Sequence, residues 1–210
     1  MPSNNFHPCL WLIRHGETEW SRSGAHTSRT DLPLTNEGER KASAIGRYLA
    51  RRPFALVLTS PLARARETCR LAGYGNVAQI EPDLHEWDYG AYEGRTSAEI
   101  RETVPDWTIW TSPVPGGETK EQVAARAGRV IARANSAAGD VALFAHGHLL
   151  RVLTACWLEL SPDGGRLFAL GTATVSVLGY EREDRVISLW NLSSDTMEKC
   201  QAPGDPRHTG

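Results

Sequence analysis

An arginine and a histidine stand side by side where an apolar run stops. Leu10-Trp11-Leu12-Ile13 leads straight into Arg14-His15-Gly16-Glu17-Thr18. The planar fork of Arg14 can bond two oxygens of a phosphate or carboxylate at once. The imidazole of His15 titrates near neutrality and can move a proton or attack phosphorus. Gly16 lets the chain turn sharply and lets backbone approach a ligand. Two further apolar runs end in polar groups. Phe54 to Leu58 meets Thr59-Ser60-Pro61 with Arg64 beyond, and Val141 to Ala145 meets His146-Gly147-His148. One such tripeptide also suits a plain surface turn. Three of them on one rim of a sheet would make a site, because ligands of open α/β sheets bind at the carboxyl ends of the strands.

The elements that must hold these groups follow from pattern. Four apolar residues with a β-branched member suit a strand buried on both faces. Thr18 to Leu34 is polar and reads as a long irregular loop. Thr35 can cap a helix to about Arg51, with Ala42, Ile45 and Leu49 on one face and Pro53 ending it. After the second strand, Ser60 as cap and Pro61 at the first helical position predict a helix to about Ala72. Gly73 and Gly75 break it, and Asn76 to Ile80 reads as a short strand. Glu81 to Arg95 and Pro105 to Gly117 are irregular. Thr96 with Glu99, and Thr119 with Gln122, are capping boxes. The second opens a helix with Val123, Ala127, Val130 and Ala134 on one face. A helix to about Glu159 follows the third strand. Thr174–Tyr180 and Val186–Leu192, joined by a charged turn, predict an edge hairpin. The expectation is an α/β fold: a three-layer α/β/α sandwich whose mostly parallel sheet carries an antiparallel edge.

At 210 residues the chain fits one domain, expected over 1–200, with a Pro- and Gly-containing polar tail, 201–210, expected to be disordered. A net charge of −2 gives no electrostatic case for nucleic acid or an anionic membrane. Arg51-Arg52 and Arg66 read as solvated helix faces. Cys9, Cys69, Cys156 and Cys200 are far apart with no C-x-x-C pair, which argues against a zinc site or a disulfide framework. Reduced thiols, no signal-peptide pattern, and an apolar stretch (Val141 to Leu160) interrupted by His146, His148, Arg151 and Glu159 predict a cytoplasmic protein.

Six segments then fall into a familiar order. They are Arg14-His15-Gly16-Glu17-Thr18; Leu34-Thr35 with Gly38; Ser60-Pro61-Leu62-Ala63-Arg64-Ala65 with Thr68; Leu84-His85-Glu86 with Gly90 and Glu93-Gly94; Gly117-Glu118-Thr119; and Ala145-His146-Gly147-His148. Together they resemble the histidine phosphatase superfamily, in its phosphoglycerate-mutase-like branch. The resemblance implies that His15 is a nucleophile that becomes phosphohistidine. It implies that Arg14, Arg64 and His146 surround the phosphoryl oxygens, and that Glu86 protonates the leaving oxygen and then assists water. Ser21 stands where mutases of the family carry an Asn. Ser21, Arg22, His26, Thr27 and His148 are the expected substrate contacts, although His148 could equally pack at the helix start. Arg22, His26, Arg29 and Lys120 are candidates for a second charged group.

The interval from Glu86 to His146 lacks the longer basic-aromatic cover of the mutases, holding instead Trp107, Trp110 and Pro113-Val114-Pro115. The segment looks most like the broad-specificity acid and sugar-phosphate phosphatases of the branch. The expected activity is hydrolysis of a small-molecule phosphate monoester. No metal or other cofactor is implied, because the Arg/His cluster supplies the positive charge. A phosphoglycerate mutase and a non-catalytic phospho-ligand binding module are the alternatives. Members of the branch are often homodimers, but no stripe here identifies an interface. A neutral nucleophile and a protonated acid predict a bell-shaped pH profile centred below neutrality.

Overall fold

Leu10–Arg14 (β1) takes an inner place in a six-stranded sheet, with a parallel neighbour on one side and an antiparallel one on the other. The computed structural model describes residues 7–50 and 52–201. After β1 come Glu19–Ser23 (α1), Asn36–Leu49 (α2), Leu56–Thr59 (β2), Ala63–Leu71 (α3), Gln79–Ile80 (β3), Ser97–Arg101 (α4), Lys120–Asn135 (α5), Val141–Ala145 (β4), Gly147–Trp157 (α6), Thr174–Glu181 (β5), Asp184–Ser193 (β6) and Ser194–Gln201 (α7). Strand order is β3-β2-β4-β1-β5-β6. The first four run parallel, and β5 and β6 form the antiparallel edge. This is the expected mostly parallel α/β sheet.

Alternation along the strands builds a core on each face. Leu10, Leu12, Leu58, Val141 and Leu143 pack with Val123, Ala127 and Val130 of α5 and Leu149, Leu150 and Leu153 of α6. Ile13, Val57, Ala142, Phe144 and Val175 pack with Ile45 and Leu49 of α2, Cys69 of α3 and Met197 of α7. Helices thus cover both sides. β2, β4 and β1 are adjacent and in register, Thr59 beside Phe144 and Arg14 beside Ala145. Their carboxyl ends therefore open on one rim. Among the described residues no helix is long and apolar enough to cross a membrane.

Several boundaries differ from expectation. The helix after β2 does not start with Ser60 as cap and Pro61 in its first turn. It starts at Ala63, after Leu62, which makes no side-chain cap. Asp31 caps it instead, its carboxylate accepting from the Ala63 N–H at 2.8 Å. The strand expected over Asn76–Ile80 shrinks to Gln79–Ile80, because Val77 and Ala78 turn back to donate to the Tyr74 carbonyl. The loop from Thr18 contains α1, opened by a Thr18/Ser21 capping box. Helix α2 ends at Leu49 and α6 at Trp157, a little short of expectation. Helix α7, unexpected, lies on α2, where Glu198 pairs with Arg47 at 2.7 Å. Beyond Gln201 the expected tail lies outside the described residues, as does Arg51.

Candidate active site

The first turn of the site is shaped by glycine. A Cβ on Gly16 would lie 2.6 Å from the Gly38 carbonyl oxygen, and one on Gly38 would lie 2.3 Å from that of Glu17. The chain leaving β1 thus crosses the start of α2 at backbone contact. Thr35 fastens the crossing: its hydroxyl accepts from Gly38 N–H at 3.0 Å and donates to Glu17 at 2.9 Å. The Thr68 hydroxyl of α3 accepts from Gly16 N–H at 2.9 Å. His15 Nδ1 lies 2.7 Å from the Gly16 carbonyl. A carbonyl only accepts, so the neutral ring carries its proton on Nδ1 and presents a lone pair on Nε2.

Arg64 is 1% exposed in the first turn of α3. It donates to the carbonyls of Thr30 (3.1 Å), Thr27 (3.1 Å) and Ser28 (3.2 Å). That loop is held in turn by Glu93, which accepts from the backbone N–H of Ser28 and Thr30 and from the Ser28 hydroxyl at 2.6 Å. His146, fully buried at the end of β4, lies with its ring centroid 5.1 Å from that of His15. Arg14 donates to the Leu170 carbonyl, and its guanidinium lies against Gly147, where a Cβ would come within 3.1 Å of Cζ.

Glu86 sits at the amino end of α6. Its carboxylate accepts from His148 N–H at 3.1 Å, Leu149 N–H at 2.9 Å and Trp87 N–H at 2.9 Å. Helix amino ends favour anions there. The segment carrying Glu86 is braced by an ion pair between a buried arginine and a half-buried glutamate. Arg126 binds Glu118 at 2.9 Å through two nitrogens and donates to the carbonyls of Asp83 and His85. Glu118 also accepts from the Asp88 N–H, and its carbonyl accepts from the Trp87 indole.

Burial pushes His15 well below its ordinary value, and Arg64 and then Arg14 push it further, so the ring is neutral. His146 is held down by burial and by Arg64. Arg14 Nε, Arg64 Nε and His146 Nδ1 are buried with no hydrogen-bond partner among the described residues. An unmet buried donor costs about 1–3 kcal/mol. Two such guanidinium donors, with the unpartnered His146 Nδ1, suit an anion with several oxygens.

A cleft of about 430 Å³ opens on this cluster, lined by Arg14, His15 and Glu86 and by the expected contacts Ser21, His26, Thr27 and His148. Arg64 and His146 lie outside the lining and fully buried. The Ser21 hydroxyl also closes the cap of α1. His148 is both packed and exposed to the cleft, its Nδ1 2.6 Å from the Tyr89 hydroxyl. Burial brings His26 down to about 4.

Other expected contacts are elsewhere. Arg22 is on the outer side of α1, paired with Glu19. Arg29 pairs with Asp88, and Lys120 reaches Asp163 at 3.9 Å. Cleft residues missed in the sequence include Tyr89, Arg101, Thr108 and Arg151. The segment that looked free of a basic-aromatic cover thus supplies Arg101 and Trp110. Arg151 carried one local signal, since it follows His148 by three positions on the same helical face. Trp107 is buried in the core, and Trp110 walls the cleft. Of the histidines without an expected role, His85 approaches Glu118 at 3.6 Å and His7 stacks on Tyr180, while His208 is outside the described residues.

The sequence model of the histidine phosphatase superfamily (branch 1) matches residues 10–193. An acid phosphatase of Mycobacterium tuberculosis is 38% identical over 188 residues, covering 88% of this chain and 92% of that protein. Sedoheptulose 1,7-bisphosphatase of Saccharomyces cerevisiae is 37% identical over 185 residues, 73% of this chain and 68% of that one. Among solved structures, an open reading frame product of Mycobacterium tuberculosis superimposes with a TM-score of 0.84 at 38% identity, covering 89% and 98% of the two chains. A mycobacterial glucosyl-3-phosphoglycerate phosphatase in complex with VO3 does so with a TM-score of 0.80 at 28% identity, covering 89% and 100%.

Proposed function

This chain belongs to the histidine phosphatase superfamily, branch 1, and is a phosphatase of phosphorylated metabolites; from that premise we propose that it works in two steps through a phosphohistidine on His15. In the first step the Nε2 lone pair of His15 attacks phosphorus, the bond to the ester oxygen breaks, and Glu86 in its acid form protonates that oxygen. In the second, water attacks phosphorus, the P–N bond breaks, and the Glu86 carboxylate takes the water's proton. Phosphate and an alcohol leave. Splitting the reaction this way suits a monoester, whose uncatalysed hydrolysis calls for accelerations up to ~10²¹-fold. Arg14, Arg64 and His146 hold the phosphoryl oxygens, which stay charged throughout.

The observation that carries the reading is the pairing of a fixed tautomer with unmet donors. His15 Nδ1–H is tied to the Gly16 carbonyl, and Arg14 Nε, Arg64 Nε and His146 Nδ1 are buried nearby without partners. The substrate class we favour is sugar phosphates, supported by the bisphosphatase among the relatives and by a cleft of metabolite size. Cys9, Cys69 and Cys156 are free thiols, which suits a reducing compartment, and we place the protein in the cytoplasm.

The test is a rapid acid-free quench with a radiolabelled phosphate ester. Label retained by the denatured protein in alkali, lost in acid and absent from His15→Asn supports the reading. Turnover that survives His15→Asn sinks it. Incubation with 3-phosphoglycerate separates hydrolysis, which releases phosphate, from mutase transfer, which yields 2-phosphoglycerate.

A further inference from the structure

Glu86 borders two openings. It lines the substrate cleft and also a second cavity of about 440 Å³, and among the described residues no other residue is shared by the two. The second cavity carries three carboxylates, Glu86, Asp88 and Glu118, beside Arg29 and His85, a lining that suits a proton better than a phosphate. Three backbone N–H groups converge on the Glu86 oxygens, those of Trp87, His148 and Leu149. Such bonds satisfy a carboxylate, which only accepts. The first step of the reaction nevertheless needs a proton there, at a moment when the ester fills the cleft.

His85, the residue before Glu86, is placed to hold that proton. Its side chain is 40% exposed and lines the second cavity. Its Nδ1 lies 2.6 Å from the Pro82 carbonyl, which fixes hydrogen on Nδ1 and leaves Nε2 to load and unload. Nε2 stands 3.6 Å from the Glu118 carboxylate. The other charges around the ring are Arg126 and Asp83, the latter paired with Arg129. Glu118 outweighs burial and Arg126, so this ring binds a proton above its ordinary value, unlike the buried histidines of the cleft.

We propose that His85 is the proton reservoir of Glu86, exchanging with it through water in the second cavity while substrate closes the first. The inference rests on the two-step hydrolytic reading. In the resting enzyme the proton sits on His85 Nε2 and Glu86 is a carboxylate. An anionic phosphate arriving beside Glu86 favours its acid form. The Nε2–H bond then breaks, cavity water passes the proton on, and an O–H bond forms on Glu86. Glu86 gives that proton to the leaving oxygen, takes another from the attacking water, and returns it to Nε2 as phosphate departs. The cycle closes with no net proton gained or lost.

The experiment uses p-nitrophenyl phosphate, phenyl phosphate and glycerol 3-phosphate, in rising order of leaving-group basicity. p-Nitrophenolate leaves unprotonated, whereas an alkoxide must be protonated as it leaves. His85→Gln keeps a donor for the Pro82 carbonyl and holds no spare proton. It should lower kcat roughly tenfold at the basic end, less than the ~10²–10⁴ of a directly acting acid, and under about twofold for p-nitrophenyl phosphate. Imidazole should restore part of the loss in His85→Ala, whose missing ring leaves room in the cavity, and leave the wild type unchanged. A structural role predicts an equal loss for every ester and no response to imidazole. A flat loss, no loss, or His85→Ala that imidazole does not revive overturns the proposal. If His85→Ala fails to fold, the His85→Gln series decides. Glu86→Gln in the same series separates the two readings. If its loss also ignores the leaving group, Glu86 is not the acid and both fail; a graded loss there with a flat one in His85→Gln removes this inference alone.

Discussion

Ser60 Oγ lies 2.7 Å from His146 Nε2, on the far side of the imidazole from its unpartnered Nδ1. The same hydroxyl accepts from Leu62 N–H at 3.3 Å. Donation of its proton to Nε2 would leave the neutral His146 carrying hydrogen on Nδ1. That tautomer offers a donor to a phosphoryl oxygen, and the other offers only a lone pair. A Ser60 hydroxyl that donates in this direction is a positioning residue.

Ser60→Ala should lower kcat by about tenfold, the worth of one hydrogen bond in a buried setting. A purely structural role would lower the melting temperature and leave kcat per folded molecule unchanged. The distinguishing measurement is therefore kcat on thermally intact protein, with the histidine tautomer read by ¹⁵N NMR.

Such long-range ties mark the limit of what could be read beforehand. β1, β2 and β4 were visible because apolar runs ended abruptly in polar residues, and α4 and α5 because Thr96/Glu99 and Thr119/Gln122 are local boxes. The start of α3 was misplaced because its cap, Asp31, lies 32 positions upstream, while the nearer Ser60 is turned towards His146. The setting of Glu86 depends on the amino end of a helix 62 positions on. Arg101 and Arg151 looked like any arginine on a helix. Only folding shows that they lack acids and share a cleft with His15.

The acid limb of kcat/KM should lie well below pH 6.5. His15 attacks as the neutral base, and burial, Arg64 and Arg14 together favour that form. Its activity therefore survives acidification that would protonate an ordinary histidine. Removing a cation lets the imidazole accept a proton more readily, so Arg64→Gln or Arg14→Gln moves the limb to higher pH as well as lowering the rate by roughly 10²–10³-fold. The pH profile of each variant checks the direction independently of the size of the loss.

Folding stability should fall as pH drops from 6.5. His15, His26, His146 and His148 are all depressed by burial, so the unfolded chain binds protons that the folded chain refuses. Their contribution is complete above 6.5 and is lost on acidification towards the folded values, about 4 for His26. Each can add a slope of up to ~1.4 kcal/mol per pH unit in that window. Glu118, held at about 2 against burial by His85 and Arg126, loses its share only below the ordinary carboxyl range. Urea unfolding between pH 6.5 and 4.5 isolates the histidines, and His26→Asn should remove one proton's worth of slope.

Glu93 should matter to rate although it is absent from the cleft. Burial opposes its charge, but bonds from Ser28 and Thr30 hold its carboxyl below the ordinary value. Those bonds fix the loop whose carbonyls grip Arg64. Glu93→Ala frees the loop and lets the guanidinium drift, and a displacement near 1 Å can cost ~10²-fold. Glu93→Gln keeps an acceptor and should recover part of the loss. The check is kcat against KM for both variants, with Arg64→Gln in a double-mutant cycle: a shared pathway predicts strongly sub-additive effects.

Two glycines of the site should answer alanine in opposite ways. At Gly16 the new methyl would meet the Gly38 carbonyl oxygen at 2.6 Å, backbone against backbone, so β1 and α2 must part. Gly16→Ala is expected to destabilise the fold by about 1–3 kcal/mol, as over-packing does. At Gly147, in the first turn of α6, the methyl meets the Arg14 side chain at 3.1 Å. Alanine is the better helix former by up to ~1 kcal/mol, so the fold should be nearly unaffected or slightly firmer. The guanidinium must nevertheless shift by a few tenths of an ångström and tilt away from the phosphoryl position. Gly147→Ala should therefore lower kcat/KM by roughly tenfold at unchanged or raised melting temperature. An active Gly147→Ala enzyme would mean that Arg14 does not need its present pose.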